Sequence, residues 1–196
     1  MKYLFLLLAI GCFMQPALAQ QTDLNSFNEK RQRIDKTGLK ILAGYSAANI
    51  IYGSIAASQS SGSNKYFHQM NAIWNGVTLG ILSVGYLTSK KDGNLSLAQT
   101  IKKQHGVEKL FLFNAGLDLA YIAGGAYMYE KSKNSYKKPE RLKGYGQSVM
   151  LQGTVLLAFD VVMYAIYNKQ GKKLDGLLEK IQIGATENGI GFSYGL

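Results

Sequence analysis

The sequence predicts an all-α fold, a four-helix transmembrane bundle with a short C-terminal β-hairpin. Four stretches of about twenty residues contain no Lys, Arg or Glu, and they cover about 41–58, 66–89, 110–129 and 144–168. A helix of this length, at a rise of about 1.5 Å per residue, spans the hydrocarbon core of a bilayer. Each stretch also carries a polar side chain near its middle. Since lipid cannot satisfy such a group, the pattern indicates a bundle with a polar interior.

The N-terminus is typical of a cleaved secretory signal peptide covering residues 1–19. Lys2 supplies a positive start, residues 3–14 form an apolar core, and residues 17–19 (Ala-Leu-Ala) match a small-x-small cleavage site. The only cysteine, Cys12, lies in this segment, so the mature chain is predicted to have no disulfide and no thiol nucleophile. A lipoprotein signal around Cys12 is the alternative interpretation.

The bundle is predicted to occupy residues 20–180. Residues 20–37 are polar but carry apolar side chains at helical spacing, so they should run directly into the first span. Residues 92–93 (Asp-Gly) mark a turn after the second span. Residues 95–105 predict a short, separate amphipathic helix that ends at Gly106.

The last residues of the chain change their period. Apolar side chains alternate over 181–185 and again over 190–194, and an Asn-Gly pair at 188–189 separates the two runs. This pattern predicts a β-hairpin over residues 181–196. Because an isolated hairpin is marginal in water, we expect it to lie on the helix ends or on a membrane surface.

Polar residues recur at helical spacing within the spans, so each helix presents a polar face. The candidates for a polar core are Asn49, Tyr52, His68, Asn71, Asn75, Asn114, Asp118, Tyr121, Gln152 and Asp160. Such groups can form a hydrogen-bonded network that fixes the register of the helices. They can instead form an intramembrane site for a proton, a cation or a small polar ligand, with Asp118 and Asp160 as its charged members. Two neighbouring carboxylates in a low-dielectric core would not both ionise readily, which suits a proton carrier or a cation site.

The sequence offers little support for catalysis. It contains no Walker loop, no HExxH, no paired CxxC and no Ser-His-Asp order, so we expect no catalytic residues and no cofactor. A metal site at His68 with Asp118 or Asp160 is a weaker alternative, and no metal is expected. Small residues at Gly76 and Gly80, and at residues 116, 120 and 124, predict close helix packing.

The net charge of +10 comes from Lys and Arg that lie mostly between the apolar stretches. Because these charges flank helices and do not line one face, the pattern favours anionic lipid headgroups over nucleic acid. The expected partners are therefore the lipid bilayer, its anionic headgroups, and either a second copy of the chain or another membrane protein.

Residues 67–71 (FHQMN) and 74–75 (WN) resemble a signature of small, uncharacterised bacterial four-helix integral membrane proteins that are classed as a domain of unknown function. Further similar parts lie at residues 114–118, 144–146, 151–153 and 159–160. The resemblance covers about 38–167. It implies a membrane location and a helical fold, and it carries no catalytic residues to this chain.

The expected location is the bacterial inner membrane, with the leader removed. A cleaved leader would place both ends of the mature chain outside the cytoplasm. The outer connections would then hold twice as many Lys and Arg as the inner ones, which opposes the positive-inside rule. The predicted function is that of a non-enzymatic membrane scaffold or interaction protein. The alternative is a small transporter or channel that moves a proton, a cation or a small polar solute through Asp118 and Asp160.

Overall fold

The computed structural model describes the backbone of residues 2–88, 94–179, 181–186 and 189–194, and the side chains of residues 22–87 and 94–176. Among these residues lie four helices, α1 (Lys2–Gln59), α2 (Gly62–Thr88), α3 (Leu97–Lys133) and α4 (Pro139–Glu179). Each of the four uncharged stretches falls on a different helix, so the prediction of an all-α, four-helix fold is confirmed. The predicted leader falls on the start of α1, where the side chains lie outside the described residues, and it stays a prediction.

Local sequence determines where α3 and α4 begin. The Ser96 hydroxyl accepts a bond of 3.3 Å from the backbone N–H of Gln99, and the Gln99 side chain accepts one of 3.0 Å from the backbone N–H of Ser96. This reciprocal capping box satisfies two amide groups that a helix start leaves unpaired. Helix α4 begins at Pro139, which lacks the N–H that would be unpaired there, and Glu140 in its first turn complements the helix dipole.

The prediction of a separate short helix over 95–105 is wrong. Helix α3 continues from Leu97 through Gly106 to Lys133 without a break. A glycine inside a helix costs about 1 kcal/mol relative to alanine. That cost is small compared with the continuous backbone hydrogen bonding on both sides, so Gly106 does not end the helix.

The prediction that a C-terminal β-hairpin forms part of the fold class is wrong. All regular structure in the part of the chain with described side chains is helical. The backbone of Ile181–Thr186 and Gly189–Tyr194 pairs antiparallel in a sheet of only two strands, outside that part, and nothing supports the expected packing on the helix ends. The physical reason is that alternation and an Asn-Gly turn favour local pairing, whereas a two-stranded ribbon needs a further strand or a packed face to be a stable element. The fold class is therefore all-α.

The chain divides into two compact units. The terminal unit comprises Met1–Arg33, Asp92–Glu108 and Ala165–Leu196, and the central unit comprises Ile34–Lys91 and Lys109–Tyr164.

The terminal unit has an apolar centre. Leu24, Phe27 and Leu174 are buried together, and Leu97 and Ile101 pack against them. Hydrogen bonds surround this cluster, and several come from side chains that are fully buried. The bonds described are Asn28 to the hydroxyl of Thr100 (2.9 Å), Arg31 to the carbonyl of Thr100 (3.4 Å), Gln104 to the carbonyl of Tyr167 (2.7 Å) and Gln170 to the carbonyl of Phe27 (3.4 Å).

The central unit has the opposite distribution. Its buried hydrophobic side chains are Val149 and Met163, whereas its buried polar side chains are Ser46, Asn71, Asn75, Asp118, Ser132, Ser148, Gln152 and Asp160. Among the described residues, every large exposed hydrophobic side chain except Ile166 belongs to this unit. The apolar surface therefore lies on the outside of the central unit and the polar groups lie inside it.

Within the part of the chain whose side chains the structure describes, two helices are long and apolar enough to cross a membrane, Leu97–Lys133 and Pro139–Gly176. Only 17% and 28% of their most apolar stretches is buried, which distinguishes them from the mostly buried core helix of a soluble protein. The sequence predicted four spans. Helices α1 and α2 do not meet the same criterion among the described residues, since amides, glycines and His68 interrupt their apolar stretches.

Glycines let the backbones of α3 and α4 approach closely in the central unit. A Cβ atom at Gly125 would lie 2.7 Å from the carbonyl oxygen of Gly146, and one at Gly146 would lie 2.6 Å from the carbonyl oxygen of Gly125. Close packing through small residues was predicted, but at other positions. Gly76, Gly80, Gly116 and Gly124 have nothing within 4 Å of such a Cβ atom, because spacing alone does not show which face meets a neighbouring helix.

Candidate functional site

The polar core of the central unit is the candidate site. Five of the predicted residues are buried there, with exposed fractions between 0% and 6%: Asn71, Asn75, Asp118, Gln152 and Asp160. Asn49, His68 and Asn114 are half-buried. Tyr52 and Tyr121 are exposed, at 63% and 38%, so the structure does not bring them into the buried centre.

An amide network joins three helices at this centre. Gln152 on α4 donates from its side-chain nitrogen to the Asn71 side-chain oxygen on α2 at 2.9 Å. Tyr45 on α1 donates its hydroxyl to the Gln152 side-chain oxygen at 3.1 Å. Ser148, one turn before Gln152, donates to the same Asn71 oxygen at 2.7 Å. These hydrogen bonds fix the register of α1, α2 and α4 relative to one another, because a shift of any one helix by one residue would leave buried polar groups unpaired.

Other amides are satisfied within their own helix. The side-chain nitrogen of Asn75 donates to the carbonyl of Asn71 at 2.9 Å, and that of Asn49 donates to the carbonyl of Tyr45 at 2.9 Å. Both bonds link a residue to the one four positions earlier. These two residues therefore add polarity to the interior without joining one helix to another.

The sequence-based list of candidates omitted three members of the site, Tyr45, Ser148 and Ser46. Ser148 was not among the candidates although it lies one turn before Gln152 on the same helix, and this spacing was the signal that could have identified it. Ser46 is fully buried, and its hydroxyl has no partner among the described residues. Serine is common on many helix faces, so no sequence signal distinguished Ser46.

The two candidate acids of the polar core lie beside each other. Asp118 on α3 and Asp160 on α4 form a side-chain hydrogen bond with each other, and their exposed fractions are 3% and 6%. An ionised carboxylate can only accept, so a hydrogen bond between two carboxyl groups requires a proton on one of them. At least one of the two carboxyl groups therefore carries a proton when this bond forms. The second oxygen of Asp118, Oδ2, is buried without a hydrogen-bond partner among the described residues.

Both acids line a cavity of about 580 Å³. Its wall is largely apolar and aromatic, and Trp74 and Tyr121 contribute rings that meet edge to face at 4.8 Å between centroids. Asn114 and Thr78 are its other polar lining residues. The amide network of Asn71 and Gln152 does not line this cavity, so the polar core has a closed part and a part that faces open space.

His68 lies among aromatic rings. It meets Tyr52 at 5.5 Å and Phe67 at 5.2 Å, both nearly edge to face, and its Nδ1 has no described partner. Among the residues that the structure describes, no group of three His, Cys, Asp or Glu side chains is placed to hold a metal ion. The two carboxyl groups can exchange a proton or bind a cation.

The sequence of this chain matches one family model. The match covers residues 41–161 and its description is a family of unknown function (DUF6992). Since this is more than half of the chain, the protein belongs to that family of unknown function. All the motifs that carried the resemblance lie within the matched residues. No curated protein and no solved structure matches the chain significantly.

Proposed function

We propose that this member of a family of unknown function is an integral membrane protein, and that its central unit is a helical scaffold for interactions within the bilayer. The observation that supports this proposal is the inverted polarity of the central unit. Leu119 and Val162 are 56% and 57% exposed, whereas Asn75 and Gln152 are 1% and 0% exposed. Such a distribution would be costly in water, where apolar surface drives burial. It matches lipid, which leaves polar groups to pair with one another.

The C-terminal end of α3 supports a membrane interface. Lys131 lies 5.7 Å from the ring of Tyr127, and Lys133 lies 5.5 Å from that of Tyr129, so two cations lie over two tyrosine rings at the end of α3. Tyrosine and basic residues are the side chains that favour the headgroup region. In our proposal this region contacts anionic headgroups. A second copy of the chain or another membrane protein would occupy part of the exposed apolar surface.

Thiol labelling tests the membrane proposal. In a Cys12→Ser background, single cysteines are placed at Leu119 and Val162 in the central unit, and at Lys102 and Lys172 in the terminal unit. All four positions are exposed. In lipid nanodiscs a charged maleimide should react readily at positions 102 and 172 and very slowly at 119 and 162, because a thiolate forms poorly in lipid. All four should react at the same rate in denaturing detergent. Equal rates in nanodiscs would contradict the proposal.

The bacterial inner membrane and a cleaved leader are parts of the same proposal. The Ala-Leu-Ala site at residues 17–19 supports removal of the leader. Mass spectrometry of the protein purified from membranes should give a mature chain beginning at Gln20. A retained Met1 would contradict cleavage and would favour the opposite topology, in which the positive-inside rule is obeyed.

A second candidate function is proton or cation movement, and the carboxyl pair favours it. Asp118 and Asp160 are hydrogen-bonded to each other and line a cavity that Asn71 and Gln152 do not line, so a proton can leave or enter the pair without breaking the amide network. In proteoliposomes that carry a pH gradient, the wild-type protein should dissipate the gradient faster than the Asp118→Asn/Asp160→Asn variant. The amides keep the shape of the carboxyl groups but cannot ionise. Equal rates would leave the scaffold as the function supported.

A further inference from the structure

We propose that the cavity of the central unit binds an amphipathic primary amine, with the ammonium group on Asp118 and Asp160 and the apolar chain along the cavity wall. This inference deepens the second candidate function, since it uses the same carboxyl pair. It concerns equilibrium binding and does not require that anything be transported.

The charge in the cavity lacks a counterpart. Asp118 and Asp160 both line the cavity and each is negative when ionised, and the buried Oδ2 of Asp118 accepts no hydrogen bond from a described residue. None of the described lining residues is Lys or Arg. A buried acceptor without a partner costs free energy that a donor would recover. An ammonium group brings three N–H donors and one positive charge, which are the two things this end of the cavity lacks.

The wall around the acids favours an organic cation over a hydrated ion. Trp74 and Tyr121 place two aromatic rings in the lining, and rings attract ammonium groups. Leu117 and Leu156 add aliphatic surface. A cavity of about 580 Å³ is far larger than a proton or a metal ion needs, and it lies in the range of about 300–1,000 Å³ that is typical of small-molecule sites. The rest of the space suits an apolar chain.

The entrance indicates where such a ligand comes from. Ile73, Val77 and Ile81 line the cavity and are 49%, 60% and 68% exposed, so apolar surface surrounds the opening. In the proposed membrane setting this surface faces lipid. A molecule that is already dissolved in the bilayer, with a charged amine at one end, can therefore reach the acids along an apolar path.

Trp74 provides a direct measurement of binding. It is the only tryptophan in the chain and it lines the cavity beside Tyr121. Full-length protein is placed in vesicles of phosphatidylcholine, a lipid that carries no primary amine, and titrated with octylamine. Octanol has the same chain length without the charge and is the matched ligand control. We expect a saturable change in Trp74 fluorescence with octylamine, and binding of octanol at least about tenfold weaker.

Variants separate the charge from the cavity. Asp118→Asn/Asp160→Asn should weaken octylamine binding at least about thirtyfold, because it removes a buried charge partner. Leu156→Phe keeps both acids and fills the cavity, so it should also weaken binding. Glu130→Gln removes an exposed acid of α3 that lies outside the cavity lining and should leave binding unchanged.

Three results would overturn the proposal. The first is the absence of a saturable signal with octylamine in the wild-type protein. The second is equal binding of octanol and octylamine, which would indicate a site for a lipid chain only. The third is undiminished octylamine binding by the double Asn variant. If that variant does not fold, the proposal is tested by comparing octylamine with octanol on the wild-type and Leu156→Phe proteins. The proteoliposome assay tests proton movement independently of this proposal, since binding is measured without a pH gradient.

Discussion

The terminal and central units differ in what they bury. In the terminal unit Leu24, Phe27 and Leu174 are enclosed, and charged side chains such as those of Arg33 and Glu29 are exposed and form an ion pair at 3.7 Å. In the central unit polar side chains are enclosed and apolar side chains are exposed. The described side chains of both units lie mainly on α-helices. In the proposed membrane setting this difference follows from the solvent, because water drives apolar groups inside whereas lipid leaves them outside and requires polar groups to pair.

The units also differ in how buried amides are used. In the terminal unit Gln104 donates to the backbone carbonyl of Tyr167 and Gln170 to that of Phe27, so amides connect segments around an apolar cluster. In the central unit Gln152 and Asn71 bond to each other, and no apolar cluster of comparable burial surrounds them among the described residues. Specificity in the central unit thus depends on polar pairing, and in the terminal unit on packing as well.

The largest expected effect compares two phenylalanines. Phe27 is 6% exposed in the terminal unit and Phe113 is 66% exposed in the central unit. Phe27→Ala should lower the free energy of unfolding by about 3–5 kcal/mol, as expected for a large core residue. Phe113→Ala should change it by less than about 1 kcal/mol in lipid, since that side chain has no buried site to vacate. Unfolding in mixed micelles, followed by circular dichroism, measures both. Equal losses of unfolding free energy in the two variants would contradict the difference in burial between the units.

The carboxyl pair should be the next most sensitive feature. Asp160→Leu removes one partner and leaves Asp118 buried without its hydrogen bond, at a cost of about 1–3 kcal/mol. Asp160→Asn keeps a group that can donate to the Asp118 carboxylate and should retain most of the stability. The two variants are compared by thermal denaturation in the same detergent. If Leu is tolerated as well as Asn, the pair does not stabilise the central unit.

Adjacent glycines test the close approach of α3 and α4. Gly125→Ala would place a Cβ atom 2.7 Å from the backbone of α4 and should destabilise the protein by about 1–3 kcal/mol through overpacking. Gly124→Ala meets nothing within 4 Å, so the better helix propensity of alanine should make it neutral or slightly stabilising. The sign of the difference in melting temperature is the measurement. A neutral Gly125→Ala would mean that the helices can separate at no cost.

The smallest expected effect concerns a single hydroxyl. Ser148 donates across helices to Asn71, whereas Thr154 donates to the carbonyl of Met150 on its own helix. Ser148→Ala should cost about 0.6 kcal/mol, the average for such bonds between membrane helices. Thr154→Ser, the matched control, keeps its hydroxyl and should change stability less. A loss of zero for Ser148→Ala would assign the register of α4 to Gln152 alone.

The sequence by itself determined the helices and the polarity of their faces. Helices depend on contacts between residues four positions apart, so uncharged stretches and periodic polar residues were sufficient to predict four of them. The same local reasoning placed Asn71, Asn75, Asp118, Gln152 and Asp160 on polar faces. It failed where a local sequence pattern was outweighed by the structure on either side of it. Gly106 did not end a helix, and the alternation after residue 180 did not add a hairpin to the fold class.

Only the tertiary structure decided which polar groups meet. Asp118 and Asp160 belong to different helices, and the rotation of each helix about its axis determines whether they bond to each other or to an amide. The same rotation brought Ser148 to Asn71, placed Gly125 and not Gly124 at a helix contact, and left a cavity beside Trp74. The physical reason is that spacing along one helix defines a face, whereas pairing depends on the packing of several helices at once.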